Sequence, residues 1–219
     1  LWQWFVDASI GEFHKVFEII GILPFEYELG ESDYNNKMQS EVDLALKQDA
    51  TKQEGQLVYV DLEEQKLGRC ILVKSDGATT YHLRDMATLR ERIDEFKADK
   101  ILYVVDSRQS HHFKQLFEVA RLVEMPVEGV EHISYGFVTL PEGSLSTRKG
   151  RIVEAKEVLN QGIEQAKKVI EEKNPDLKNK NEVALAVARS AIKFANLLAN
   201  RNTDIVFDWK QVLRFDGDT

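Results

Sequence analysis

Lys100-Ile101-Leu102-Tyr103-Val104-Val105-Asp106-Ser107-Arg108-Gln109-Ser110-His111-His112 decides the class of fold. An unbroken apolar run bounded by charge reads as a strand buried on both faces, the habit of parallel sheets. Small polar residues close it. From Ser110 to Glu124, Phe113, Leu116, Phe117, Ala120 and Val123 then recur on one helical side. Upstream, Asp85 opens a helix to about Ala98, with Met86, Leu89, Ile93 and Phe96 inward, and Ile133 to Leu140 reads as the next strand. Strands alternating with helices of this length predict an α/β fold with a doubly wound, mostly parallel, Rossmann-like sheet.

Further out the periodicity changes. Gly11 to Ile22 and Tyr34 to Gln48 read as amphipathic helices, Phe25 to Leu29 as a short extended run, and Asp49 to Gly55 as a polar loop. Leu57–Val60 and Arg69–Val73 form a hairpin-like pair, Lys74–Gly77 a turn, and Thr79–Tyr81 a short strand. Beyond Gly150, Val153 to Lys173 and Asn181 to Asn200 are long helical segments, and Phe207 to Phe215 a shorter one. The expected division is 1–150 as an α/β part, with a helical or inserted segment at 1–55, and 151–219 as a helical part.

Composition bounds the rest. The 219 residues are 43% hydrophobic and 30% charged, the balance of a globular chain and not of a disordered or collagen-like one. No apolar run nears the ~18 residues of a transmembrane helix. The opening Leu-Trp-Gln-Trp-Phe-Val-Asp lacks a basic stretch and a small-residue cleavage site, which argues against a secretory leader. One cysteine, Cys70, suits a reducing cytosol, so a cytoplasmic location is expected. A net charge of −8 means that any contact with phosphate must come from a local basic cluster.

Such a cluster follows the strand at 133–140. Pro141-Glu142-Gly143-Ser144-Leu145-Ser146-Thr147-Arg148-Lys149-Gly150-Arg151 brackets hydroxyls and cations between glycines. It can wrap a polyphosphate, Arg148 and Lys149 balancing charge on a leaving pyrophosphate. A solvated turn ahead of a helix reads equally simply, and the spacing alone favours it, since no G-x-x-x-x-G-K-[ST] pattern is present. Tyr81 and Asp85, four residues apart, can grip a cationic ligand; Asp85 also stands where a helix N-cap is wanted. Gln109, at the carboxyl end of the apolar strand, lies where open α/β sheets bind ligands, though Ser107 and Ser110 suit plain capping. His111 and His112 are neighbours that do not share a helix face, and with a single cysteine they give no zinc-ligand set, so no metal ligand is assigned.

Several phrases in order resemble the arginyl-tRNA synthetase family of class I aminoacyl-tRNA ligases. Leu29 to Asn35 is similar to its G-E-S-x-Y stretch, and Lys74 to Gly77 with Tyr81 and Asp85 to its K-x-D-G…Y-x-x-x-D segment. Asp106 to Ser110 with Phe113 resembles D-S-R-Q-x-x-H-F, and Gly136-Phe137-Val138 with Leu145 to Gly150 the M-S-T-R-x-G form of the signature loop. Asn200 to Asp204 with Phe207-Asp208-Trp209 resembles N-R-x-x-D…F-D-W. The resemblance implies activation of L-arginine by ATP with Mg²⁺ and transfer to tRNA(Arg), with no tightly bound cofactor. It implies that Tyr81, Asp85 and Gln109 bind arginine and that Ser146, Thr147, Arg148 and Lys149 lie over the ATP phosphates as the catalytic loop. Phe137 and Val138 would flank the adenine.

Two departures stand out. Ser144 occupies the place of the loop's first lysine, and no H-x-G-H occurs anywhere in the chain. The expectation is therefore an internal segment, the second half of a catalytic domain and the helices leading to an anticodon-binding domain, inactive alone. The full-length enzyme is expected to be monomeric and free of membrane. The alternative is a stand-alone paralogue that binds arginine or tRNA without ligase activity. An unrelated class I nucleotidylyltransferase would leave the Asn200 to Trp209 phrase unexplained.

Overall fold

The computed structural model describes residues 1–140, 143–144 and 155–206. The apolar run is strand β4, which belongs to a two-stranded sheet, one of three small sheets among the described residues. In chain order the elements are α1 (Trp2–Ile20), α2 (Met38–Ala45), β1 (Thr51–Glu54), β2 (Leu57–Leu62), β3 (Gly68–Val73) and α3 (Tyr81–Asp94). They continue with β4 (Ile101–Asp106), α4 (Ser110–Leu122), β5 (Val130–Tyr135), β6 (Val138–Leu140), β7 (Gly143–Ser144), α5 (Ala155–Lys173), α6 (Lys180–Leu198) and β8 (Ile205–Val206). The chain forms two compact units, Tyr27–Tyr135 and Leu1–Glu26 with Gly136–Thr219.

The Tyr27–Tyr135 unit is α/β. β4 and β5 pair in parallel from Ile101↔Val130 to Asp106↔Tyr135, joined by α4. Gly129 makes the junction possible: a Cβ there would lie 2.3 Å from the Asp99 carbonyl oxygen, whereas the Gly129 carbonyl accepts from Ile101 N–H at 2.9 Å. β1, β2 and β3 form an antiparallel meander. One core joins the layers through Leu62, Cys70 and Leu72 of the meander, Leu83, Met86 and Leu89 of α3, Leu116 and Val119 of α4, and Ile101 and Tyr103 of β4. Burial of such side chains contributes ~1.5–3 kcal/mol each.

Several expectations are corrected here. β4 buries Ile101 and Tyr103 but leaves Leu102 50% and Val104 64% exposed, because the described helices cover only one of its faces. The polar Asp49–Gly55 stretch contains β1, held by its ladder with β2 and not by apolar periodicity. Thr79 makes only an isolated bridge to Val73, and Tyr81 already belongs to α3. The helix read over Tyr34–Gln48 is a 3₁₀ turn, Glu31–Tyr34, followed by the shorter α2. Ile133 to Leu140 is two strands in different sheets, broken at Gly136-Phe137.

In the other unit α1 starts at Trp2, ahead of the expected Gly11, and ends on Gly21 in the left-handed conformation (φ 71°). Its last carbonyls accept from Arg189 and Lys193 of α6: Arg189 Nε reaches Ile19 O, Arg189 Nη2 lies 2.8 Å from Glu18 O, and Lys193 Nζ 3.1 Å from Gly21 O. Cations there also complement the helix dipole. α5 and α6 pack through Ala166, Ile170 and Ala184. β6 pairs with β7 antiparallel and with β8 in parallel. The short helix expected at Phe207 to Phe215 lies outside the described residues. Among the described residues no helix is long and apolar enough to cross a membrane.

Candidate active site

The start of α3 is tied to the meander. Thr80 is extended, its N–H donates to Leu72 O at 3.0 Å, and its hydroxyl donates to Ile71 O at 2.6 Å. The helix therefore begins at Tyr81, and Asp85 is no cap. It sits one turn in, on the face that carries Tyr81, since residues four apart on a helix are neighbours. Tyr81 is 70% exposed.

Asp85 is held from α4. His112 Nε2 lies 2.6 Å from Asp85 Oδ2. An ionised carboxylate only accepts, so the imidazole carries its proton on Nε2 and donates. The carboxylate keeps further lone pairs for a ligand. Behind His112 lies the ring of His82, centroids 4.1 Å apart. Desolvation, and next the neighbouring His112, depress the His82 pKa to about 4, against the opposing pull of Asp85. His82 is thus neutral at neutral pH.

Gln109 closes a 3₁₀ turn, Ser107–Gln109, at the carboxyl end of β4 and occupies the N-cap position of α4, three residues before His112. The Asp85–His112 bond thus joins the Tyr81/Asp85 face to the segment that presents Gln109. Asp106 starts the same turn: its Oδ1 accepts from Arg108 N–H at 2.9 Å. Desolvation raises the Asp106 pKa, but hydrogen bonds from Arg108 and Gln109 outweigh it and hold the carboxyl below its ordinary range. The Gly30-Glu31-Ser32-Asp33-Tyr34 phrase packs against α3 as well, with Glu31 Oε2 2.8 Å from Arg84 Nη1 and Tyr34 buried. Exposed phenol, partly exposed carboxylate and exposed amide suit a planar cation with several N–H donors.

Phe137 and Val138 are in the other unit, fastened by the stretch that follows α6. Phe137 N–H donates to Asp204 Oδ1 at 2.7 Å, Gly136 N–H to Arg201 O at 2.7 Å, and Ile205 N–H to Phe137 O at 2.7 Å. Ser146, Thr147, Arg148 and Lys149 lie outside the described residues. Sequence reasoning missed two contributors. His112 is the histidine of the D-S-R-Q-x-x-H-F pattern, but its partner Asp85 is 27 residues away, beyond any local pattern. Asp204 was legible as part of a phrase but not as the acceptor for Phe137.

A family model described as "tRNA synthetases class I (R), catalytic domain" matches residues 1–209. The chain belongs to that family. Over its whole length it is 40% identical to the arginine–tRNA ligase of Clostridium perfringens and 42% identical to that of Exiguobacterium sp.. It spans 39% of the length of each. Among solved structures, arginyl-tRNA synthetase from Plasmodium falciparum superposes on the entire chain with a TM-score of 0.84 at 24% identity, which speaks for the fold; the chain covers 37% of it. The Thermus thermophilus arginyl-tRNA synthetase covers 85% of this chain with a TM-score of 0.74 at 25% identity, the match spanning 38% of that chain.

Proposed function

We propose that this chain is part of an arginine–tRNA ligase, which activates L-arginine with Mg²⁺-bound ATP and passes it to tRNA(Arg). The observation that carries the reading is the Tyr81/Asp85 face, its carboxylate held by His112 beside the β4 end that presents Gln109. Asp85 would take the guanidinium in a charge-assisted pair, with Tyr81 and Gln109 completing a polar rim. Arginine's carboxylate would then attack the α-phosphorus of ATP, pyrophosphate leaving towards Ser146, Thr147, Arg148 and Lys149. The backbone at Phe137 and Val138 would border the adenine. The chemistry needs no covalent enzyme intermediate, only placement and charge balance. Residues 1–150 would supply the second half of a catalytic domain, with 1–55 inserted, and 151–219 would lead to an anticodon-binding domain, in a monomeric enzyme of the cytoplasm.

The test is arginine-dependent pyrophosphate exchange by the full-length protein. Asp85→Asn should raise the KM for arginine on the order of 100-fold and leave that for ATP within about twofold. Exchange that does not depend on arginine, or an unaltered arginine KM in that variant, would overturn the reading. Arginine binding without any exchange would favour the non-ligase paralogue instead.

A further inference from the structure

We infer that His112 is a positioning residue, the last link of a side-chain buttress that fixes the direction of the Asp85 carboxylate and so sets the affinity for arginine. The inference rests on the arginine-binding reading of Asp85 and goes a step behind it, to what aims the carboxylate.

An aspartate in the second turn of a helix has two free side-chain torsions. Asp85 is more than a third exposed, so its own burial does not hold it. What holds it comes from the neighbouring elements. The Asp85 side chain meets His112 Nε2 at 2.6 Å, and the His112 side chain is only 17% exposed. That imidazole is wedged between two rings: His82 of α3 at 4.1 Å, and Phe113 in an edge contact at 5.2 Å and 84°. Phe113 in turn stacks on His132 of β5 at 4.4 Å. His132 Nε2 lies 2.9 Å from the Val105 carbonyl of β4, to which it donates. A continuous set of contacts therefore runs from the β4 backbone through His132, Phe113 and His112 to the carboxylate. The strand that leads through the 3₁₀ turn to Gln109 and the helix that carries Tyr81 are locked into one frame.

The donor matters as much as the wedge. The bond fixes one carboxylate oxygen on α4 and turns the remaining lone pairs away from it, so a fork of N–H donors meets a carboxylate already aimed. A free carboxylate would have to be ordered at each binding event, and that cost falls on affinity. A bond that aims the carboxylate acts alike on bound arginine and on the transition state of adenylyl transfer, so its loss is expected in KM and not in kcat.

The experiment compares His112→Phe, His112→Gln and Asp85→Asn in the full-length protein by arginine-dependent pyrophosphate exchange, with urea unfolding alongside. His112→Phe keeps the ring and loses the donor; His112→Gln brings an amide N–H to about the reach of Nε2. Expected is a rise of about 10-fold in the arginine KM for His112→Phe, with kcat and the ATP KM within about twofold, and recovery of most of the loss in His112→Gln. The Asp85→Asn/His112→Phe double variant should be no worse than Asp85→Asn, since one interaction is lost only once. Should the phenylalanine variant fail to fold, His112→Asn, whose donor is drawn back from the carboxylate, takes its place with the same expected rise. An unchanged arginine KM in the donor-less variants, or an equal loss in kcat and both KM values, overturns the inference while a large Asp85→Asn effect leaves the arginine-binding reading standing. An Asp85→Asn variant with wild-type arginine KM brings down both.

Discussion

A methyl group on Gly136 would lie 2.5 Å from both the carbonyl carbon and oxygen of Thr203 and 2.8 Å from the Asp204 nitrogen. All three are backbone atoms that cannot swing aside. Gly136→Ala should therefore destabilise the protein by ~1–3 kcal/mol in urea unfolding, the usual cost of overfilling a close contact. Gly11→Ala gives the contrast. Gly11 lies within α1, and an added Cβ there meets nothing within 4 Å, so the substitution should stabilise by ~0.5–1 kcal/mol. A stability loss at Gly11 or none at Gly136 would contradict this account. The same scale shows what the sequence yielded of the site. Asp85 was legible as a carboxylate near a helix start, and Gln109 as a polar group after an apolar strand. Their relation was not, because it passes through His112 and depends on which residue opens α3. Thr79-Thr80-Tyr81 is β-branched and aromatic, the composition of a strand, yet Thr80 spends its hydroxyl on β3 and the helix starts at once.

Among elements, a buried ion pair ties α2 to α3, beside the more exposed Lys37–Glu91 pair at the start of α2. Glu41 is 1% exposed, and its carboxylate meets Arg90 Nε at 2.5 Å and Nη2 at 3.1 Å. Arg90→Ala would leave a buried carboxylate without its counter-ion and should cost ~3–5 kcal/mol. The paired replacement Glu41→Leu with Arg90→Met removes both charges and should fall within ~1 kcal/mol of the parent. Urea unfolding of the single and paired variants checks the contrast, and equal losses in both would refute it. Elements with strong periodicity were legible: α4, the β2–β3 hairpin, α5 and α6 need only their own residues to declare them. β1 was not, because Thr51-Lys52-Gln53-Glu54 has no apolar alternation and is a strand by virtue of Leu57 to Val60 beside it. The break between β5 and β6 was hidden too, since β-branched and aromatic residues stand on both sides of Gly136 while the backbone changes partners there.

At the scale of the whole molecule, His82 links stability to pH. Its folded pKa of about 4 lies below the ordinary 6.5, chiefly through desolvation. The unfolded chain therefore takes up a proton that the native state refuses. The stabilisation is fully present above pH 6.5 and is lost progressively as pH falls through 4, amounting to roughly 2–3 kcal/mol. Urea unfolding at pH 7 and pH 4.5 should show this decline, and His82→Phe should flatten it; an unchanged slope in that variant would assign the pH response to other groups.

The seam between Gly136–Val138 and Arg201–Val206 has a kinetic consequence. Phe137 and Asp204 are 67 residues apart in the chain. Bringing them together closes a large loop and costs entropy before any hydrogen bond repays it. The α5–α6 pair, joined by a short turn, meets no such cost. The order of assembly follows. The helical hairpin needs only local contacts, so the seam, whose two sides are 67 residues apart, is expected to form after it.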